Sequence, residues 1–537
     1  MDVPTATSLR DIYPDDAISV ETKRWEALLA QFKEKYRRQA EFVARSPGRV
    51  NIIGEHIDYS LYEVLPMAIT ADFLMAVATQ PTSQNPTVRI SNVLSEKFPT
   101  REFEIPKEGE VPIDASAHEW TNYFKSGLRG ASELLEQKRN NGHFVSVGMD
   151  ILSDGTVPSG GGLSSSASFV CTSALAVMKA NGEEEVDKKE LCELAIVSER
   201  AVGVNSGGMD QSASVFSLRG NALYVSFKPT LSATPISFPH TTPELTFVIA
   251  QSFVAADKHV TAPVCYNLRV VECTLAAVFL SKIFNLKRPL PTDSSPLGTS
   301  LRGFHDTYFE EKEGIPDNTK TPVPEFRAQL EKLAQLTEDY LHAEEGYTRS
   351  EICDLLGISE AELTARFMSK FAVRADRFKL RQRALHVFRE AIRVIQFREL
   401  LASPPASTAA AGTDDSGGSG SSGSSDALLH ALGALMNQTQ DSCRALYDCS
   451  CPELDELCEL ARGAGAYGSR LTGAGWGGCS VHLVPKEKVD AVKEAWVRGY
   501  YRKKWPDISE ERLQEAIVVS KPGSGSAVFK VLGDRVI

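Results

Sequence analysis

The chain has 537 residues, 42% hydrophobic and 24% charged, a globular balance that excludes wholesale disorder. Lys plus Arg total 58 against 70 Asp plus Glu; the net charge of −12 excludes a generally nucleic-acid-binding surface but leaves room for a local anion site. Ten scattered cysteines form no Cys-x-x-Cys, no His-Glu-x-x-His is written, and no run of about 18 apolar residues exists, so zinc ribbons, zincins and membrane-spanning helices are excluded as well. The opening segment carries Asp11, Asp15 and Asp16 and no apolar core, so it does not read as a secretory signal. The expectation is a reduced, soluble, cytoplasmic protein.

Residues 21–40 predict a charged amphipathic helix with Trp25, Leu28, Leu29 and Phe32 on one side. Pro47-Gly48 reads as a turn between two short apolar runs. The apolar segment 64–79 reads as strand. Residues 143–154 read as another, followed by a Gly/Ser-rich turn and an apolar helix over 169–179. Residues 187–200 predict a helix with Leu191, Leu194 and Ile196 among its apolar positions, and 222–227 and 245–250 are strand-like. Over 371–401 the residues Phe378, Leu385, Phe388, Ile392 and Ile395 recur at the spacing of one helix face. That helix ends before Ser403-Pro404-Pro405. The tract 412–425 holds Gly or Ser at 11 of 14 positions. Such a tract buries too little apolar area to offset its ordering entropy, so a flexible insertion is expected over about 403–426, with helix resuming near Ala427. A coil of that length spans roughly 20 Å, enough to reconnect two neighbouring helices.

Three stretches carry chemistry. The first runs Val157-Pro-Ser-Gly-Gly-Gly-Leu-Ser-Ser-Ser-Ala167 between a strand and an apolar helix. Its glycines let the backbone approach a ligand, consecutive N–H groups form an anion nest, and a helix starting near Ser165 aims its positive end at the same place. It lacks the Gly-Lys-Ser/Thr of a Walker A loop. An ordinary flexible glycine loop is the alternative. The second, Gly48-Arg-Val-Asn-Ile-Ile-Gly-Glu-His-Ile-Asp-Tyr59, gathers Arg49, Glu55, His56 and Asp58 beside an apolar run. Carboxylates and an imidazole suit a polyhydroxylated ligand; a solvated charged turn is the alternative, and a metal site is open on spacing that is not diagnostic. The third, Glu199 to Asp210, sets a helix-end acid eleven residues before an acid on a Gly-Gly turn. One could hold Mg²⁺ and the other meet a substrate hydroxyl, a division common in phosphoryl transfer. Gly-x-Gly-x-x-Gly occurs at 418–423, 463–468 and 473–478. The first copy lies in the linker and the last precedes a strand-like CSVHLV, so a Rossmann dinucleotide site lacks its context.

Together these stretches resemble the galactokinase family, of the superfamily shared with homoserine, mevalonate and phosphomevalonate kinases. GRVNIIGEHIDY is similar to its sugar signature, VPSGGGLSSSA to the phosphate loop and LTGAGWGGCSVHLV to the third motif. WTNYFKSG, GGMDQSASVF, APVCYNLRVVEC and ALMNQTQDSC extend the likeness from about residue 40 to 484, with the longer eukaryotic branch fitting best. The resemblance implies an α+β, two-domain GHMP-kinase-like molecule. It implies an N-terminal domain over 1–230, a C-terminal domain over 231–537 and an active site in the cleft between them. It implies ATP and Mg²⁺ and transfer of a phosphoryl group to the anomeric hydroxyl of galactose. Asp210 would act as base or orient that hydroxyl, and Arg49 would neutralise charge on the transferred group. Arg49, Glu55, His56, Asp58, Gly207, Asp210 and Tyr266 would hold the sugar. Gly160, Gly161, Gly162, Leu163, Ser164, Ser165 and Ser166 would cradle phosphate, Ser166 and Glu199 would meet Mg²⁺, and Trp120 would lie near adenine. The alternatives are an N-acetylgalactosamine kinase, and a sugar- and ATP-binding regulator that signals through a transcription repressor. One departure is local: where the family has Asn-Gly-Gly after the signature tyrosine, this chain has Ser60-Leu61-Tyr62, so that turn must differ.

Overall fold

Two long apolar runs pair at the centre of the molecule's first sheet. The computed structural model describes all residues except 82, 108–109, 115–116, 118, 140–143, 159, 203–206, 255–260, 371, 403–419 and 532–537, and the side chains of 420–424. In chain order the strands are β1 (Thr5–Ala6), β2 (Phe42–Ile53), β3 (Leu65–Thr79), β4 (Thr87–Asn92), β5 (Arg101–Glu104), β6 (Met149–Gly155), β7 (Asn221–Ser226) and β8 (Ser232–Ser237). They continue as β9 (Leu245–Gln251), β10 (Tyr347–Thr348), β11 (Arg377–Phe378), β12 (Gly468–Thr472), β13 (Cys479–Pro485), β14 (Ile517–Ser520) and β15 (Ala527–Lys530). The first sheet has the order β1-β15-β2-β3-β6-β4-β5, the second the order β12-β13-β9-β14, and β7-β8 and β10-β11 form two-stranded ribbons.

Strand alternation decides what each face of the first sheet meets. Phe42, Ala44, Phe73, Met75 and Val77 point one way, into a core shared with helices α2 (Asn122–Arg139), α3 (Ser165–Ala180) and α4 (Lys188–Arg200). Val43, Leu74, Ala76 and Ala78 point the other way, against Trp25, Leu28 and Phe32 of helix α1 (Ile18–Tyr36). The short helix α5 (Met209–Phe216) follows α4. A third core joins the far halves of β2 and β3 to the second sheet and to the helices Tyr266–Ile283, Leu301–Glu313, Val323–Tyr340 and Leu380–Ala402. Val50, Ile52, Val64, Phe388 and Val481 are all in it, so the signature segment sits over a packed floor.

Several expectations change. Pro47-Gly48 is not a turn: β2 runs through it, with a shift of register between Pro47 and Arg49 against β3. The extra residues lie on β3, where 69–71 stand opposite Gly48 alone, a bulge in the partner strand beside Arg49. Gly48 is required because an added Cβ would lie 2.7 Å from the Leu163 carbonyl and 2.9 Å from Val157 Cγ1, both in the glycine loop. The strand expected over 143–154 starts only at Met149. The helix expected over 371–401 starts at Leu380. Phe378 lies instead on β11, paired with Tyr347, and the next N–H, of Lys379, donates to buried Glu272 at 2.7 Å. Tertiary partners override a periodic pattern there. The insertion at 403–419 lies outside the described residues, and helix resumes at Gly420, before Ala427, running to Ser442. The late strand β15 enters the first sheet between β1 and β2. Leu61 occupies the left-handed region at φ 63°, closing a 3-10 turn over Asp58–Ser60. Its burial to 2% exposure offsets a backbone cost of about 1–2 kcal/mol.

Gly48→Ala should therefore lower stability by about 1–3 kcal/mol, since neither contact is the end of a flexible side chain. A thermal melt checks this; an unchanged Tm would show that the glycine loop gives way freely.

Candidate active site

The glycine loop leaves β6 and turns into α3 with Gly160 at φ 73° and Gly162 at φ 71°, conformations that suit glycine. Gly160 is exposed, and an added Cβ there would meet nothing within 4 Å, so this edge faces solvent. Gly161 and Gly162 press instead on the third motif: a Cβ on Gly473 would lie 2.2 Å from the Gly162 carbonyl, and one on Gly478 would lie 3.0 Å from that of Gly161. Leu163 is buried. Ser164 precedes α3 in the left-handed region at φ 62°, and its hydroxyl is buried with no hydrogen-bond partner among the described residues. Ser165 and Ser166 open the helix half-buried, so their backbone N–H groups lie where a helix leaves its donors unpaired. A buried hydroxyl and an N-terminal helix dipole suit phosphate oxygens.

Arg49 binds this loop to the acids. It is 3% exposed on β2. Its Nη1 donates to the Gly162 carbonyl at 2.7 Å and its Nε to Asp210 Oδ1 at 2.8 Å, while its backbone N–H donates to the Leu163 carbonyl at 3.1 Å. Asp210 stands in the first turn of α5, after Gly208 at φ 112°. Gly207 has no room for a side chain: a Cβ would lie 2.5 Å from the Tyr59 nitrogen, and the Gly207 N–H donates to Asp58 Oδ2 at 3.1 Å.

The signature loop supplies the rest. His56 sits at φ 60°, its Nε2 donating to the Ala474 carbonyl at 2.9 Å and its Nδ1 3.0 Å from the Tyr59 hydroxyl. Tyr266, at the start of its helix, has its ring 5.6 Å from those of both His56 and Tyr59. Burial pushes its phenol well above the ordinary range, and the charges of Asp58, Asp210, Glu199 and Glu55 push in the same direction. Those four carboxylates thus converge on one phenol. Asp58 is raised from 3.8 to about 6 by burial first and then by the charge of Asp210. Glu55 is more constrained than its sequence position implies. Its Oε2 is bound by fully buried Arg470 and by the Gly473 N–H, leaving Oε1 for other partners.

On the other side of the glycine loop, Trp120 stacks on Phe169 of α3 at 6.0 Å and lies 5.9 Å from Phe98, with its Nε1 donating to the Pro99 carbonyl at 3.0 Å. Glu199, 1% exposed at the end of α4, accepts from the Gln211 amide. Among the described residues no cluster of three or more His, Cys, Asp or Glu is arranged to hold a metal ion.

Three regions of the chain match known family models. The galactokinase galactose-binding signature matches residues 30–79, the GHMP kinase N-terminal domain 122–217 and the GHMP kinase C-terminal domain 414–503. The galactokinase of Candida parapsilosis is 40% identical over 99% of this chain and 98% of its own, and that of Saccharomyces cerevisiae 41% over 94% of each. The chain belongs to the galactokinase family. It is an ATP-using kinase with the GHMP α+β fold. A crystal structure of Lactococcus lactis galactokinase complexed with galactose superposes with a TM-score of 0.60 at 23% identity, covering 94% of this chain and 99% of that one, which supports the fold.

Several functional residues of this galactokinase-family site escaped sequence reasoning. Arg470 sits just before the third motif, and nothing local marks it as the partner of Glu55. Trp476, at φ 53°, brings its ring 5.7 Å from His56 and its Nε1 to the Asp448 carbonyl at 2.9 Å. Its place in a Gly-rich motif was the available signal. Tyr447 hydrogen-bonds the Tyr59 hydroxyl from a segment 388 residues away, which no short-range pattern encodes.

Asp58 gives a test with a definite sign. A carboxyl whose folded pKa is raised contributes stability below about pH 4 that is lost as pH rises through about 6. Asp58→Asn should thus stabilise the unliganded protein at pH 7.5 by on the order of 2–3 kcal/mol and leave it unchanged near pH 4. Melting temperatures at the two pH values check this; an equal shift at both would contradict it.

Proposed function

We propose that the chain is an ATP-dependent galactokinase. It would transfer the γ-phosphoryl group of ATP to the anomeric hydroxyl of galactose, giving galactose 1-phosphate and ADP, the first step of galactose use. One observation carries the reading: a single guanidinium, Arg49, donates both to Asp210 and to the Gly162 carbonyl, so a sugar-side acid and a phosphate loop meet at one cation. The intact Ser164-Ser165-Ser166-Ala167 run supports an enzyme over a regulator acting through a transcription repressor.

The chemistry follows from the groups present. Asp210 takes the proton of the anomeric hydroxyl as that oxygen forms its bond to phosphorus and the β,γ-bridging bond breaks, leaving ADP. Arg49 offsets charge on the transferred group, and its bond to Asp210 fixes the carboxylate's orientation. In such reactions the protein contributes chiefly by positioning and by charge stabilisation. Asp58, His56, Tyr266 and the remaining oxygen of Glu55 supply acceptors and donors for sugar hydroxyls. The 160–166 loop receives the phosphates, and Trp120 with Phe169 offers a flat apolar surface for adenine. The Ser166 hydroxyl and the Glu199 carboxylate are oxygen donors of the kind Mg²⁺ takes and would hold it; the ion would neutralise phosphate charge. Two units dividing near residue 230 would enclose the cleft, β15 excepted. All ten cysteines are free thiols, which suits the reducing cytoplasm.

Two experiments test this. Asp210→Asn should cost on the order of 10²–10⁴ in kcat, with fold and ATP binding retained. A folded variant keeping more than about a tenth of wild-type turnover would remove Asp210 from its role. Second, kcat/KM measured at saturating Mg-ATP should favour galactose over glucose by about 10⁴, because a hydroxyl pointing elsewhere leaves buried polar groups unpaired. Galactose should also exceed N-acetylgalactosamine. The reverse order would make the chain an N-acetylgalactosamine kinase by the same mechanism, and equal use of glucose would overturn the sugar site.

A further inference from the structure

The signature loop is held in an unfavourable backbone shape. Gly54 lies at φ 101° and His56, a residue with a full side chain, at φ 60°. Such conformations persist where their surroundings over-determine them. Besides the third motif and Arg470, they include one helix, Leu380–Ala402, which lies outside the three regions matched by the family models.

Glu390 on that helix is fully buried. Its Oε1 accepts from two consecutive backbone N–H groups, those of Gly54 at 2.8 Å and Glu55 at 3.1 Å. Its Oε2 pairs with Arg393 Nη2 at 2.6 Å and accepts from the Thr439 hydroxyl at 2.9 Å. Burial alone would raise this carboxyl, but Arg393, Arg470 and the Gly54 N–H overcome it and bring it down to about 2, so it is ionised. One turn earlier, His386, also fully buried, has its Nε2 2.9 Å from the Glu55 carbonyl and its Nδ1 2.9 Å from Ser442 Oγ. Burial lowers this imidazole to about 3, so it is neutral. A carbonyl can only accept, so the single proton is on Nε2 and Nδ1 accepts from Ser442. The two helix residues thus grip both peptide groups that flank Glu55. A buried carboxylate is costly to place, and this one gives one oxygen to a loop whose Glu55, His56 and Asp58 all lie near Tyr266.

We propose that Glu390 and His386 are positioning residues for the sugar: a buried clamp that sets the Gly54-Glu55-His56 backbone and thereby determines sugar affinity without touching the sugar. The inference rests on the galactokinase reading. Glu390→Asp is the decisive variant, since it keeps the charge opposite Arg393 but withdraws the carboxylate by one methylene from the loop. Initial rates should show the galactose KM raised on the order of 10- to 100-fold, the scale of a misplacement near 1 Å, with the ATP KM within about twofold of wild type. The shift in Tm caused by galactose should shrink, while that caused by ATP stays. His386→Asn removes the contacts to the Glu55 carbonyl and Ser442 but keeps Glu390 on the two loop N–H groups, and should move the galactose KM in the same direction by a smaller factor, so failure of one variant to fold leaves the other to decide. An unchanged galactose KM in a folded variant, or equal rises in both KM values, overturns the clamp. Absence of galactose phosphorylation by the wild-type chain would instead overturn the reading on which it rests.

Discussion

The contact on which the site depends is that of Arg49 with Asp210 and the glycine loop. A guanidinium is a rigid fork that keeps its charge, so fixing two of its nitrogens fixes its plane. Asp210 receives one side of the fork and the Gly162 carbonyl the other. Everything nearby serves that geometry. Arg49 leaves β2 opposite a bulge in β3, Gly48 lets β2 lie against Leu163, and Gly473 lets the third motif lie against Gly162. Three segments far apart in sequence are thereby locked at backbone contact, and the acid at the start of α5 is oriented before any substrate arrives.

A second layer of buried charge supports the first. Glu55 with Arg470, Glu390 with Arg393, and Arg45 with Asp72 are all essentially out of solvent. Such pairs contribute little net stability against apolar replacements, but removing one partner is expensive because the other is left unpaired. Their value is geometric: a buried carboxylate fixed by a cation cannot turn away from the backbone it holds. Asp58 differs from these pairs, being held near Asp210 and away from water, which raises it.

Much of this was legible in the sequence, for reasons that differ by residue. The glycine loop, the helix start at Ser165 and the strand 65–79 rest on local chemistry, and the structure has them where expected. Asp210, Arg49, His56 and Asp58 are brought together by the fold, but their gathering was implied by resemblance and not by spacing. Pro47-Gly48 misled because proline and glycine also occur within a strand beside an irregularity of its partner, here a bulge in β3, which only the pairing reveals. Phe378 misled because its apolar period matched the helix that follows it, while its backbone was claimed by Tyr347. Arg470, Tyr447 and Glu390 were invisible because each acts across hundreds of residues, with no signature of its own.

The entry of β15 into the first sheet has a consequence for how the molecule is made. Ser46 and Ser526 hydrogen-bond across 480 positions, and Arg45 reaches the Ser524 and Gly525 carbonyls over a similar separation. On the ribosome, β2 emerges early with one edge matched to β3 and the other without its mate. Such an edge is a template for strangers until its own strand arrives. Pairing at so great a separation also closes late, since the loop entropy must be met before the contact rewards it. The strand bearing Arg49 is thus completed by a segment far downstream of it, which ties closure of the first sheet to translation of β15.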